Sequence, residues 1–345
     1  MPAGIRVSGS ALKEKQKVNL TSGTSRSLYA LTATLTLAVA LITGCGGGEQ
    51  ATSTTAAAEV TPIQVKGSDT MVNVAQAWAE EYKKVEPSAD VEVSGGGSGV
   101  GIAALEKGTI DIANASREMK PEEIELTKKN TGKEPKEFTV GFDGLAVFVN
   151  KDNPLSEISI GDLATIYSES GTVTKWSQLG VQIPGVKDDT IVRVSRQSSS
   201  GTYEFFREHV LDKHDFKLGS RDMNGSKEVV ELVGTTKTAI GYSGMGYATG
   251  EVKMLRIASK KGEPAVEPTV ENTLSKAYPL ARSLHLYTLG EPEGAVKAYI
   301  DWILSSAGQK VLQDNGYVPV GTAPAATSAG EATTAAATTP APATN

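Results

Sequence analysis

From residue 63 to residue 315 the chain alternates between short runs of aliphatic and β-branched residues and longer stretches whose apolar positions recur every three to four residues. The first pattern predicts buried strands and the second predicts amphipathic helices. Ile63–Lys66 reads as a strand, and Met71–Lys84 as a helix with Val74, Ala77, Trp78 and Tyr82 on one face. Val91–Val93 is a second strand, followed by a glycine-rich turn and a short helix, Ile102–Lys107, that stops at Gly108 as a left-handed cap. Ile110–Ala113 is a third strand, and Pro121 opens the next helix at a position that tolerates proline. Phe138–Asn150 is a long strand-like run. Beyond it the pattern gives a helix near Ile160–Tyr167, a strand at Ile191–Val194, a helix started by Ser200 and a helix near Lys227–Val233. A strand at Ala239–Tyr242, a strand-like run Tyr278–Leu289 and one last helix, Glu293–Asn315, complete the set. Successive strand–turn–helix units predict an α/β fold with mostly parallel sheets. In such sheets, ligands collect at the carboxyl ends of strands, beside helix N-termini.

The two ends depart from this pattern. Arg6, Lys13, Lys15, Lys17 and Arg26 precede an apolar run, Leu28–Ile42, and Ile42-Thr43-Gly44-Cys45 resembles a bacterial lipobox, with Cys45 as the lipidated first residue. An uncleaved membrane anchor is the alternative, but the run is short for a span of about 20 residues. Residues 1–44 therefore read as a lipoprotein signal peptide and 45–61 as a flexible tether. Residues 321–345 form an Ala/Thr/Pro tail of the kind that stays disordered. What remains suits two domains of about 130 residues each. Abundant glycine (36 residues) with only 6% aromatics favours α/β over all-β. Loss of residues 1–44 takes the net charge from −6 to −10, so the chain suits nucleic acid poorly. Cys45 is the sole cysteine, which leaves no disulfide and no thiolate chemistry.

The candidate chemistry lies in the turns at the predicted strand ends. Ser68-Asp69-Thr70, Ser98-Gly99, Ser116-Arg117 and Ser200-Gly201-Thr202 each offer a hydroxyl and backbone N–H groups. One serine before a helix is ordinarily an N-cap. Four such turns at strand ends can instead surround one buried anion. Arg196, just before the Ser198-Ser199-Ser200-Gly201-Thr202 turn, adds a planar charge suited to a tetrahedral oxyanion. Catalysis has little support. His209, His214 and His285 lack metal-ligand spacing, and His209 belongs on an outer helix face. No nucleophile elbow or Walker loop is present, although Ser98 or Ser200 as the nucleophile of a phosphoester hydrolase stands as an alternative. No cofactor and no metal are expected.

The set Gly67-Ser68-Asp69-Thr70-Met71, Gly95-Gly96-Gly97-Ser98-Gly99, Asp111-Ile112 with Ala115-Ser116-Arg117, Asp143-Gly144-Leu145-Ala146-Val147, Arg196 with Ser199-Ser200-Gly201-Thr202, Ala239-Ile240-Gly241-Tyr242, Tyr278-Pro279-Leu280-Ala281-Arg282 and Gly316-Tyr317-Val318-Pro319 resembles the phosphate-binding (PstS-like) lipoproteins of bacterial phosphate ABC transporters. These are periplasmic solute-binding proteins, and the likeness spans residues 62–320. It implies a two-lobed type II periplasmic-binding-protein fold. Each lobe is a mixed, mostly parallel sheet flanked by helices, and two crossover strands join them. Lobe one takes 62–143 and 281–320, and lobe two takes 144–280. The implied function is capture of inorganic phosphate and its delivery to an ABC permease of two membrane subunits plus an ATPase. The implied protein is a non-enzymatic monomer, lipid-anchored at the extracytoplasmic face of the cell membrane. Another tetrahedral oxyanion (sulfate or molybdate), or phosphate sensing without transport, are the alternatives.

The candidate phosphate-binding set is Ser68, Asp69, Thr70, Ser98, Ser116, Arg117, Asp143, Arg196, Ser200, Gly201 and Thr202, of which the resemblance itself carries over Ser98, Arg196, Ser200, Gly201 and Thr202. Two departures stand out. Asp69 and Thr70 occupy the place of a Thr-Phe pair, and Arg117 occupies the place of the aspartate that accepts the proton of hydrogen phosphate. Asp69 and Asp143 are the candidates to replace that acceptor. Otherwise Asp69 is a helix N-cap and Asp143 caps a turn in a hinge strand. Arg117 is either a second ligand cation or a rim residue paired with Glu118 or another acid. Arg282 is expected to brace the crossover through carbonyls.

Overall fold

The computed structural model describes residues 62–321. The expected signal peptide, Cys45, the tether and the tail beyond Gly321 lie outside the described residues. The first stretch runs β1 (Ile63–Gly67), α1 (Val72–Val85), β2 (Val91–Ser94), α2 (Ser98–Leu105), β3 (Ile112–Ala115), α3 (Pro121–Thr131) and β4 (Pro135–Asn150). Next come β5 (Glu157–Ser159), α4 (Ile160–Tyr167), β6 (Val192–Arg196), α5 (Gly201–His209), β7 (Arg221–Met223), α6 (Ser226–Thr235), β8 (Ala239–Gly244), β9 (Val252–Met254), β10 (Arg256–Ala258) and α7 (Val270–Leu274). The chain returns through β11 (Ala281–Leu289), α8 (Gly294–Leu304), α9 (Ser306–Asp314) and β12 (Val318–Pro319).

The main sheet has the order β2-β1-β3-β11-β4-β8-β6-β7, with β12 and β9 added on β4. Its pairings are parallel among β1, β2 and β3 and among β6, β7 and β8. They are antiparallel wherever β4 or β11 takes part. A separate parallel pair joins β5 and β10. The two-lobed architecture turns on β4. Its first part pairs with β11 as far as Gly144↔Ala281, and with β12 at Gly141 and Phe142. From Leu145 on it pairs with β8 and then β9. One strand thus leaves one half of the sheet and enters the other.

The continuous apolar run Leu145–Val149 follows from burial on both faces. Leu145, Val147 and Val149 enter a core with Tyr167, Trp176, Phe206 and Tyr242. Ala146 and Phe148 enter another with Val194, Val229 and Val233. The first half packs Trp78, Tyr82, Leu284, Tyr299 and Ile300 together, and α2 adds Ile102 and Leu105 over Ala113 and Tyr287. Burying Trp78 leaves its indole N–H to satisfy, and it donates to the Gly308 carbonyl at 2.8 Å.

Among the boundaries that differ from the sequence expectation, three have a clear local reason. The expected single last helix is two. Ser305 ends α8 in an extended conformation and caps α9, its hydroxyl accepting from the Gly308 N–H. The corner is so tight that a Cβ on Gly308 would lie 2.4 Å from the Ile303 carbonyl oxygen. The helix expected from Ile102 begins at Ser98, because the glycine turn supplies its first turn. β11 starts at Ala281, since Tyr278–Leu280 forms the turn that delivers the chain to β4, with the Leu145 N–H donating to the Leu280 carbonyl.

Candidate functional site

β1, β2 and β3 are neighbours in one half of the sheet and β6 lies in the other, beyond β11, β4 and β8, and the four Ser/Gly/Thr turns follow their carboxyl ends. Ser68, Thr70, Ser98, Ser116, Ser200 and Thr202 are all buried there, with at most 2% of any residue exposed. The Ser68 hydroxyl donates to Ser116 Oγ at 3.0 Å. Ser98 Oγ lies 3.4 Å from Ser116 Oγ and accepts from the Ser116 N–H at 3.1 Å. Thr70 and Thr202, from opposite halves of the sheet, share a 2.8 Å hydroxyl bond. Gly201 packs into this group, where an added Cβ would sit 2.3 Å from Ser98 Oγ and 2.8 Å from Ser116 Oγ. Ser200 caps α5 through the N–H groups of Thr202 and Tyr203. Buried hydroxyls that mainly face one another, at the N-termini of two helices, are a set of adjustable donors and acceptors. They can re-aim onto an anion that enters between them.

Arg196 supplies the charge. Its side chain is fully buried. It donates to Ser226 Oγ at 3.0 Å, the Asn224 carbonyl at 3.2 Å and Asp69 Oδ2 at 3.1 Å. Its Nε is buried without a partner. Burial lowers its affinity for the proton, and the Asp69 carboxylate offsets part of that loss. A buried guanidinium with a spare donor and only one carboxylate favours a further anion. The strand that presents it is braced from behind. Ser195 Oγ and the Tyr242 hydroxyl are 2.7 Å apart, and Tyr242 stacks on Phe206 at 4.0 Å.

Asp69 is not the N-cap of α1. Met71 holds that position with no side-chain cap, and Asp69 instead reaches to the Gly96 N–H with Oδ1 at 2.8 Å and to Arg196 with Oδ2. Asp143 has a different setting. Oδ2 accepts from Arg282 Nε at 3.0 Å and Nη2 at 2.7 Å, and Oδ1 accepts from the Met245 N–H at 3.2 Å. Burial raises this carboxyl above its ordinary value, against the pull of Arg282 and then of the Met245 N–H. With both oxygens held, Asp143 anchors the β4–β11 crossing and has less capacity for a ligand than Asp69. Arg282 was expected to brace the crossing through carbonyls. Its main partner is this carboxylate, with the Ser116 carbonyl at 3.3 Å and Thr70 Oγ1 at 3.4 Å as additions.

Of the two readings of Arg117, its geometry fits the pairing with an acid and not the ligand cation. It forms a two-bond pair with Glu123 at the start of α3, at 2.8 and 2.7 Å, and donates to the Glu118 carbonyl. Burial works to raise the Glu123 carboxyl, but Arg117 and the Lys120 N–H outweigh it and hold the group below its ordinary value.

The two walls also meet directly. The Gly99 N–H donates to the Ser199 carbonyl at 2.9 Å. The Ser199 hydroxyl and the Gln197 amide donate to the Gly96 carbonyl. Gly97, at φ +98°, comes so close that a Cβ would lie 2.5 Å from the Ser199 carbonyl oxygen. Lys120 and Glu204 form an ion pair at 2.8 Å across the same gap. A groove of about 550 Å³ runs alongside, with Phe142, Phe205, Tyr278 and Arg282 among its lining residues.

Sequence reasoning missed Gln197, Ser226, Tyr247 and Tyr317, which support the site from outside the recognised turns, and gave Ser199, within one of them, no partner. Tyr317 lay in a noticed motif, but nothing local assigned it a partner. Among the described residues no cluster of His, Cys, Asp or Glu is placed to hold a metal ion. The Ser98 and Ser200 hydroxyls face the hydrogen bonds above, while exposed His209 stacks on Phe205 at 3.9 Å and contacts its carbonyl. Also among the described residues, no helix is long and apolar enough to cross a membrane.

Comparison with known proteins agrees with this architecture. Residues 51–307 match the model of the PBP superfamily domain. The phosphate-binding protein PstS of Pseudomonas aeruginosa is 34% identical over 264 residues, covering 74% of this chain and 81% of the relative. That of Staphylococcus haemolyticus is 32% identical over 301 residues, covering 84% and 92%. Among solved structures, a Clostridium perfringens protein with bound phosphate, assigned as a phosphate ABC transporter substrate-binding protein, superposes with a TM-score of 0.66 at 29% identity. It covers 75% of this chain and 100% of that one. An ABC-type phosphate transport receptor from Vibrio cholerae gives 0.59 at 28%, covering 74% and 99%. The chain therefore belongs to the PBP superfamily and, within it, to the PstS family of phosphate-binding proteins.

Proposed function

We propose that this chain binds inorganic phosphate between its lobes and delivers it to an ABC permease for import. The observation that carries this reading is the meeting of four strand-end turns around fully buried Arg196, whose Nε has no partner. Hydroxyls, helix N-termini and one guanidinium together match a tetrahedral oxyanion without a full counter-charge. Preorganised dipoles replace its water shell. The lobes are 62–143 with 281–320 and 144–280, hinged where β4 changes partners, and closure brings Thr70 against Thr202 and Asp69 against Arg196. The protein is a lipid-anchored monomer held by Cys45 at the extracytoplasmic face, and it performs no catalysis. Its permease partner has two membrane subunits and an ATPase.

Selectivity requires an acceptor for the proton that phosphate carries and sulfate lacks at neutral pH. Asp69 fills that role. Its carboxylate lies in the turn that faces Arg196, and each oxygen takes one protein hydrogen bond, leaving lone pairs free. Against sulfate the same carboxylate is a like charge without a shared proton, a cost of several kcal/mol. Calorimetric titration of the protein with phosphate, arsenate, sulfate and molybdate tests the reading. Saturable one-to-one binding of phosphate with far weaker sulfate binding is expected. No phosphate heat, or stronger binding of sulfate or molybdate, would refute it.

A further inference from the structure

Two tyrosines outside the recognised turns take hold of the Asp69–Thr70 backbone from behind. The Tyr247 hydroxyl reaches the Asp69 carbonyl at 2.9 Å and the Thr70 carbonyl at 3.1 Å, and the Tyr317 hydroxyl donates to the Thr70 carbonyl. They come from distant parts of the chain, one after β8 and one just before β12. They are held as a unit because the backbones at Gly246 and Gly316 touch. A Cβ on Gly316 would lie 2.9 Å from Gly246 Cα, and one on Gly246 would lie 2.7 Å from the Asn315 carbonyl oxygen. Burial keeps both hydroxyls protonated, with Tyr247 pushed up to about 12 and Tyr317 well above its ordinary value.

In a planar trans peptide the C=O and N–H point in opposite directions. Fixing the Asp69 carbonyl on Tyr247 therefore aims the Thr70 N–H away from the tyrosines, on the side of the buried hydroxyl group. The neighbouring Met71 N–H is spent on the Ser68 carbonyl at 3.0 Å. The Thr70 N–H has no such bond among the described residues. A hydrogen bond to the carbonyl also polarises the peptide and strengthens its N–H as a donor. We infer that Tyr247 and Tyr317 are positioning residues for anion capture, orienting and strengthening the Thr70 N–H as a ligand donor. The inference rests on the proposal that phosphate enters this cleft.

The test uses Tyr247→Phe, Tyr317→Phe and the double variant of the whole chain, titrated with inorganic phosphate while the Thr70 amide is followed by NMR. Each single change is expected to weaken binding roughly 5-fold to 10-fold, the scale of one hydrogen bond. Dissociation becomes faster, the stoichiometry stays at one, and the Thr70 amide proton moves upfield without phosphate. A purely structural role would lower the active fraction and leave the affinity of folded molecules unchanged. Placing 3-fluorotyrosine at position 247 gives a more acidic donor on an intact fold, and it should tighten binding. Wild-type affinity in the double variant, or weaker binding with fluorotyrosine, overturns the inference while the phosphate reading stands. A wild-type protein that fails to bind phosphate removes the reading and the inference together.

Discussion

The molecule contains two buried Asp–Arg pairs of the same chemistry and different design. Asp143 and Arg282 are both almost fully buried, and two guanidinium nitrogens meet one carboxylate oxygen while the other takes a backbone N–H. That pair sits where β4 and β11 cross, and every strong contact it makes is internal. Asp69 and Arg196 make one bond across the lobes, with Asp69 partly exposed and the Arg196 Nε free. The first pair is saturated and holds the β4–β11 crossing. The second is incomplete and has capacity for a ligand. What separates a structural ion pair from a binding one here is the number of donors and acceptors left over, because the residue types are the same.

Breaking each pair should therefore give opposite readouts. Asp143→Asn leaves Arg282 buried without its counter-charge, a loss on the order of 3–5 kcal/mol. For a domain of this size that is a melting midpoint lower by roughly 6–12 °C in calorimetry. Arg196→Gln should lower the midpoint of the ligand-free protein less than Asp143→Asn does and weaken phosphate binding at least about 100-fold, the scale of a desolvated charge contact. Gly201→Ala sharpens the contrast without touching a charge. Its methyl occupies the space between Ser98 and Ser116, so titration should show a loss of about 10-fold in affinity, and the overpacking should cost about 1–3 kcal/mol of stability. The smallest effect belongs to the Arg117–Glu123 pair. Glu123 is held below its ordinary carboxyl value, so its contribution is present above the unfolded pKa and fades as pH falls through the folded one. Glu123→Gln should lower stability slightly at neutral pH and flatten its decline below pH 4.5, measured by denaturant titration across pH.

Much of this was legible from local chemistry. A serine before a glycine and a helix can be read residue by residue, and so the four turns, Arg196 and the long strand through Leu145–Val149 were all visible in the chain. The partners were not. Asp69 and Arg196 are 127 positions apart, Asp143 and Arg282 are 139 apart, and Tyr247 meets a backbone 178 residues away. No local rule ranks Asp69 above Asp143 as a ligand group. The difference lies in which oxygens the closed tertiary structure leaves unspent. Arg117 carries the same lesson, because its acid comes from the next helix and is one of several candidates in the sequence. The corner at Ser305 was readable in principle from Ser305-Ser306-Ala307-Gly308, but the apolar period runs through it and hides the break.

The central claim is that the unsaturated pair gives the cleft its preference for a protonated oxyanion through Asp69. The most direct measurement is the ratio of phosphate to sulfate affinity in Asp69→Asn against the parent protein, by calorimetric titration at neutral pH. The amide keeps an acceptor but removes the like charge that excludes sulfate. The account predicts that the ratio falls by at least about 10-fold, mainly through stronger sulfate binding. An unchanged ratio, or one that collapses in Asp143→Asn and not in Asp69→Asn, would contradict it.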